Sequence, residues 1–390
     1  MEGRLSSRAD LILDSCIMRL ITVAKRPGMI SFATGLPDNS LFDTEGLRRA
    51  ADEVLSGEDA KGALQYGEAE GLPSLRKRIA DRCRKESGIR ATWENILLTN
   101  GSQECFDLLG KMFLDPGDKI AVENPGYLGA LQAYSAYGPR MIGVDLLNQG
   151  PDIRQLESAL SESPKLFYSI PNHQNPSGVS YSESARREVS ELISRSGTVI
   201  VEDDAYGELG YRGRAGKALS SMTDNSVMTG SFSKIISPGM RIGWIIVPDW
   251  LLPKATQFLE AFCLQAGSFT QRVMDRFLAR NDMDAYLKPI RAEYLRKKNL
   301  FSDLMEDMLP ERFAWNDPDG GMFIWLRTPE RTDAMRLVDA ALERKVVLMP
   351  GKPFHVRGGE NTVRLNFATA SDEDMKEGMR RLGEAASDAF

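Results

Sequence analysis

Val199-Ile200-Val201-Glu202-Asp203-Asp204-Ala205-Tyr206 runs three β-branched residues straight into a cluster of acids. An unbroken apolar run of this length reads as a strand buried on both faces of a mostly parallel sheet. Its carboxylates then stand at the carboxyl end of the strand, where ligands of open α/β sheets gather. One of them suits a protonated ring nitrogen. Two adjacent acids equally suit a loop cap or a cation such as magnesium, and spacing alone does not choose.

Working outward, similar short runs recur at 95–98, 119–122, 141–144, 166–170, 198–201, 227–229 and 244–247. Helical patterns with charged outer faces, such as 105–113 and 182–194, lie between them. This alternation predicts an α/β large domain. Past a long charge-rich helical stretch at 282–308, the pattern shifts to shorter strands at 322–326, 346–349 and 362–367, separated by helices. A chain of 390 residues exceeds what one core usually serves, so a smaller α+β domain is expected there. The expected division is an amino-terminal arm at 1–45, a large domain at 46–288 and a small domain at 289–390.

A net charge of −6 argues against affinity for nucleic acid, which needs clustered Lys and Arg. No apolar run approaches the ~20 residues that cross a bilayer, and Met1-Glu2-Gly3-Arg4 leads into polar sequence. A cytoplasmic protein without membrane or nucleic-acid partners is expected. The four cysteines (Cys16, Cys83, Cys105, Cys263) are scattered and suit reduced thiols. With His173 and His355 as the two histidines, neither a metal site nor a Ser-His relay is provided for.

Five further stretches carry chemistry. Ser231-Phe232-Ser233-Lys234 follows an expected strand, and Arg241 comes seven residues after the lysine. Such a lysine suits imine formation while its hydroxyl and guanidinium neighbours bind phosphate; the plain alternative is a surface lysine beside a serine-rich turn. Thr99-Asn100-Gly101-Ser102-Gln103-Glu104 opens a helix, where backbone N–H groups suit a phosphate or simply a cap and tight turn. Pro171-Asn172-His173-Gln174-Asn175-Pro176-Ser177-Gly178 offers amide donors for a phenolate oxygen, or merely a turn. Asn124-Pro125-Gly126-Tyr127 is an aromatic turn. Arg364, inside the apolar strand pattern Thr362-Val363-Arg364-Leu365-Asn366-Phe367, suits a carboxylate if buried and water if on an edge.

Taken together and in this order, these stretches resemble the fold-type I pyridoxal-5′-phosphate (PLP) aminotransferases of class I/II, from about Ser31 to the carboxyl terminus. The branch containing 2-aminoadipate, aromatic and kynurenine aminotransferases is the most similar, through Leu64-Gln65-Tyr66-Gly67, Gly101-Ser102-Gln103, Asn175-Pro176-Ser177-Gly178, Glu202-Asp203-Asp204-Ala205-Tyr206 and Gly230-Ser231-Phe232-Ser233-Lys234. The resemblance implies a mixed, mostly parallel seven-stranded sheet between helices, with a smaller α+β domain. It implies ping-pong transfer of an amino group between an L-amino acid and a 2-oxo acid through a Lys234 Schiff base, in amino-acid metabolism or biosynthesis.

By the same resemblance, Lys234 is nucleophile and then base, Asp203 pairs with the ring nitrogen, and Asn175 and Tyr206 bond the ring oxygen. Tyr127 and Ala205 cover the two ring faces. Gly101, Ser102, Gln103, Ser231, Ser233 and Arg241 hold the phosphate, and Tyr66 reaches it from a second subunit, which implies a homodimer. Arg364 receives the substrate α-carboxylate, assisted by Asn175 and the Gly35 backbone.

One position departs from the branch. Members acting on 2-aminoadipate or glutamate are expected to carry an arginine eight residues before the arginine of the Arg26-Pro27-Gly28 turn, where this chain has Met18. Arg19 lies about 100° further round the helix. Ile17, Met18 and Ile21 suit either an apolar side-chain pocket or core packing. The same cofactor also supports lyase, decarboxylase or cyclase outcomes in specialised amino-acid metabolism, which product analysis separates. Chains of this branch also serve as effector-binding domains of transcription regulators, behind a basic DNA-reading head that is not expected here.

Overall fold

The computed structural model describes Leu5, Ser6, 8–13, 22–214 and 216–390. Met18, Arg19 and Cys16 lie outside the described residues. The apolar run at 199 becomes the strand Val199–Asp203, buried along its whole length. It lies fourth in an eight-stranded sheet ordered Ile96–Thr99, Gly243–Ile246, Ser226–Ser231, Val199–Asp203, Leu166–Ser169, Lys119–Asn124, Arg140–Leu147 and Gly150–Pro151. The five strands from Ser226–Ser231 to Arg140–Leu147 pair in parallel. Gly243–Ile246 runs antiparallel between its two neighbours, so the sheet is mixed.

Seven of the eight are the strands expected from sequence. The eighth, Gly150–Pro151, is a two-residue return that pairs antiparallel with Leu146 and Leu147. It is too short to leave a periodic signal.

Helices cover the sheet because each presents one apolar stripe. Ser102–Phe113 buries Cys105, Phe106, Leu108 and Leu109, while Glu183–Arg195 buries Ala185, Val189 and Ile193. Ser182 caps the latter by accepting from the Ala185 N–H. Side chains such as Val201, Val227 and Leu166 are fully buried, each stabilising the fold by about 1.5–3 kcal/mol.

A 26-residue helix, Met283–Met308, begins where Asp282 accepts from the Asp284 and Ala285 N–H groups. Beyond it lies an antiparallel sheet ordered Ala314–Trp315, Phe323–Arg327, Thr362–Asn366 and Met349–Pro350, packed with helices Met335–Glu343 and Asp372–Ala389. The run at 346–349, expected as one strand, is split. Val346–Val347 pairs in parallel with Ile30–Ser31, and Met349–Pro350 pairs with Arg364 and Val363 in the other sheet. The amino-terminal segment thereby enters the carboxyl-terminal layer and carries residues 32–36 past the end of Thr362–Asn366.

Candidate active site

The strand ends converge. Asp203 ends its strand 3% exposed, and its carboxylate accepts from the Tyr168 hydroxyl at 2.7 Å and the Thr229 hydroxyl at 3.2 Å. Thr229 is its register partner on the next parallel strand. Among the described residues no cation forms an ion pair with Asp203. Burial lifts its carboxyl to about 6, against the pull of those two hydroxyls.

Lys234 sits in the turn after Ser226–Ser231 and donates to the Gly35 carbonyl at 2.9 Å. Burial brings its amine down to about 8, with Arg364 and Arg241 pushing the same way and Asp203 opposing. An amine of that kind is a competent nucleophile and base near neutral pH.

Arg364 is buried in its strand, clasped by the Phe323 and Phe354 rings at 4.5 and 5.1 Å. It donates to the Asn175 side-chain oxygen at 3.0 Å and to the Ala33 carbonyl at 2.6 Å. Asn175 in turn donates to the Tyr206 hydroxyl at 3.2 Å, whose own pKa burial raises. One hydrogen-bonded chain therefore joins Arg364, Asn175 and Tyr206. Asn366, two residues along from Arg364 on the same strand face, donates to the Thr34 and Leu36 carbonyls on either side of Gly35.

The helix at Ser102 opens from Gly101 in a left-handed conformation, φ 87°. A Cβ there would collide with the Arg241 guanidinium, and one at Gly243 would stand 2.6 Å from the Ser102 nitrogen. Only glycine at both positions keeps this cradle open. Arg241, itself at φ 51°, reaches across to donate to the Asn100 carbonyl at 2.7 Å. The Ser231 hydroxyl donates to that of Ser233 at 2.8 Å. The Gln103 side chain is turned to the Gly129 carbonyl at 2.7 Å. Tyr127 packs edge-on against Phe106, and Ala205 is half-buried beside Tyr206.

Tyr66 is 74% exposed, beside an equally bare Leu64, and its N–H donates to the adjacent Gln65 side chain rather than into the cleft of its own chain. Several site residues escape a reading of the sequence. Tyr168 and Thr229 are ordinary strand residues until pairing brings them to Asp203. Asp204, unlike Asp203, is paired with Arg214 at 2.8 Å. Cys83, Cys105 and Cys263 are free thiols, and among the described residues no group of three His, Cys, Asp or Glu is placed to hold a metal.

The family described as aminotransferase class I and II matches residues 27–382. An aromatic-amino-acid aminotransferase from Thermococcus litoralis is 34% identical over 98% of this chain and 94% of its own length. A 2-aminoadipate transaminase from Thermus thermophilus is 37% identical over 97% and 95%. The solved structure of LysN, an α-aminoadipate aminotransferase from Thermus thermophilus complexed with N-(5′-phosphopyridoxyl)-L-leucine, superposes with a TM-score of 0.91. It is 34% identical and covers 99% of this chain and 97% of that one.

Proposed function

The chain belongs to the class I and II aminotransferases, and from that premise we propose how its own residues divide the work of amino transfer between an L-amino acid and a 2-oxo acid. Its cofactor is pyridoxal 5′-phosphate. The residues present fit that group: a glycine-walled helix start for a phosphate, a buried acid without a cation for a ring nitrogen, and an amine of lowered pKa beside both. When bound, the cofactor supplies an electrophilic carbon for amines and an electron-poor ring that takes up the charge released at the substrate α-carbon.

In this reading Lys234, as a neutral amine, would hold the cofactor's electrophilic carbon and would take and return the substrate α-proton. Asp203 keeps the ring nitrogen protonated. Tyr206 and Asn175 would hold the ring oxygen, and Tyr127 and Ala205 would cover the ring. Gly101, Ser102, Gln103, Ser231, Ser233 and Arg241 hold the phosphate. Arg364 would fork onto the substrate carboxylate, with Asn175 and the Gly35 backbone assisting, and Met18 and Arg19, which lie outside the described residues, are assigned to the substrate side chain by the resemblance alone. The single observation that carries this assignment is the buried Asp203, without an ion-pair partner among the described residues, close enough to the Lys234 amine for their charges to act on one another.

Tyr66 completes the phosphate site of a second copy, so the working unit is a homodimer; its exposure beside Leu64 supports this. The work divides between an arm (1–45), a cofactor domain (46–288) and a small domain (289–390). We place the enzyme in the cytoplasm, in amino-acid biosynthesis; no described helix is long and apolar enough to cross a membrane.

The test is an absorbance spectrum of purified protein reconstituted with pyridoxal phosphate, before and after adding single L-amino acids without an acceptor. A visible band that moves to the near-ultraviolet with one donor class establishes the first half-reaction and names the donor. A band that no amino acid moves overturns the transfer reading in favour of another outcome on the same cofactor.

A further inference from the structure

Asn175, shared between Arg364 and Tyr206, sits in a loop held by a residue that the reaction itself does not use. His173, two positions earlier, is 1% exposed and left-handed, φ 47°. Few side chains accept that backbone region, though histidine is one of those found there more often than most. Such a conformation persists only where the surroundings enforce it.

The surroundings are three loops. The His173 N–H donates to the Ser180 hydroxyl at 3.1 Å, within its own loop. The ring Nδ1 lies 3.0 Å from the Asp319 carboxylate and 3.0 Å from the same hydroxyl, and that hydroxyl donates to Asp319 at 2.9 Å. A carboxylate only accepts, so Nδ1 carries the proton. Asp319 precedes Gly320 and Gly321, which lead into the strand Phe323–Arg327 beside Arg364. Gly320 bridges to Gly210, just beyond Tyr206, and the Tyr211 N–H donates to the Asp319 carbonyl at 3.0 Å. A Cβ on Gly320 or Gly321 would press into His173 at under 3 Å, and one on Gly210 would stand 3.0 Å from its Nε2. The imidazole thus fills the junction where the loops bearing Asn175 and Tyr206 meet the edge of the sheet bearing Arg364.

A second strap lies alongside: Asn316 donates to the Ser177 carbonyl at 2.7 Å and accepts from the Trp325 N–H at 2.7 Å. It ties the far side of the same loop to the same strand. Gln174, donating to Glu123 at 2.9 Å and to the Pro125 carbonyl at 2.7 Å, and Asn172, donating to Asp204 at 2.7 Å, fasten the loop to the large sheet. His173 links its near side to the segment that leads into the strand beside Arg364.

We propose that His173, through its bond to Asp319, is a positioning residue that holds Asn175 in register with Arg364 for the substrate carboxylate. This rests on the carboxylate role given to Arg364 above. Asp319 is the clean lever, because its side chain is 64% exposed and its removal opens no cavity.

Asp319→Ala, Asp319→Asn, His173→Phe and Arg364→Gln holoenzymes are compared by steady-state kinetics with the best amino donor. In parallel, calorimetry gives the Kd of that donor's deaminated carboxylic acid. Asp319→Ala and His173→Phe should raise KM and Kd about tenfold with kcat within about twofold, the loss of one directional hydrogen bond. Asp319→Asn, which still accepts from Nδ1–H, should restore both. A packing role alone would instead lower Tm and kcat and leave Kd unmoved, and that result overturns the proposal, as does unchanged KM and Kd. If His173→Phe does not fold, the two Asp319 variants decide. Arg364→Gln separates the two levels: if it leaves Kd unchanged, the carboxylate role itself falls. If it weakens binding while Asp319→Ala does not, only the role of His173 falls.

Discussion

Asp203 and Asp204 are chain neighbours with opposite surroundings. Asp204 turns to Arg214 at 2.8 Å, both side chains under a tenth exposed, and also accepts from the Asn172 amide at 2.7 Å. Asn172 passes the network to Arg186, a fully buried guanidinium that donates to the carbonyls of Tyr181, Pro171 and Lys217. Burial works against the Arg214 charge and Asp204 outweighs it, so its pKa ends raised. Asp203 has two hydroxyls and, among the described residues, no cation, and is lifted to about 6. A buried carboxylate left without a cation in the folded chain is costly unless another group brings one. The difference separates an acid that the fold pairs from one that it leaves without a cation among the described residues, where the sequence shows only two aspartates in a row.

The largest expected effect breaks the functional side of this pair at its other pole. Lys234→Ala should lower amino transfer on the order of 10⁴-fold, since nucleophile and base are lost together. Circular dichroism and Tm should remain those of the folded protein. Turnover near the parent level would remove the lysine from the mechanism.

The sharpest contrast is Asp203→Asn against Asp204→Ala. Asp203→Asn keeps the shape, with one of the two hydroxyls turning to accept from the amide nitrogen, but cannot neutralise a cation, so kcat should fall roughly 10²–10³-fold with stability largely retained. Asp204→Ala strands Arg214 in the interior and should cost about 3–5 kcal/mol in denaturant unfolding, while the folded fraction turns over within about threefold. Reversed outcomes would mean that the two acids had been assigned to the wrong tasks.

Much of this was legible from the chain because the signals were local. Continuous apolar runs located seven strands of the sheet, and the candidates Asp203, Asn175, Lys234 and the Gly101 loop do lie at the carboxyl ends of those strands or just past them. What was not legible depended on pairing at a distance. Tyr168 and Thr229 become partners of Asp203 only through register, and nothing near Asp204 announces Arg214 ten residues later. The run at 346–349 reads as one strand, because hydrophobicity does not reveal that two sheets share it. Asp319 is separated from His173 by a long stretch of chain, and an Asp-Gly-Gly triplet looks like any turn. Tyr66 stands bare on the surface of the chain, and exposure of that kind leaves no local pattern in the sequence.

The smallest expected effect tests whether the cleft holds its charges at a cost to the fold, as the Asp203 environment implies. In protein freed of cofactor, Lys234 has a folded pKa of about 8 against an ordinary value of 10.5. The sign follows from linkage: the folded state disfavours the ammonium, so the cost of burying it is full below pH 8. It shrinks as pH rises from about 8 to 10.5, because the unfolded chain then holds protons that the folded one has released, and it vanishes above that window. Lys234→Met removes the cost altogether. The cofactor-free variant should therefore be more stable than the parent by on the order of 1–3 kcal/mol at neutral pH, with the two unfolding curves converging by pH 10.5. An Arg214→Met variant should show no such convergence, since it removes a cation that the fold pairs at 2.8 Å rather than an amine that burial disfavours. If the Lys234→Met gain were the same at both pH values, the lysine would cost the fold through its packing rather than its charge, and the functional pole of the cleft would lose its electrostatic distinction from the paired network beneath it.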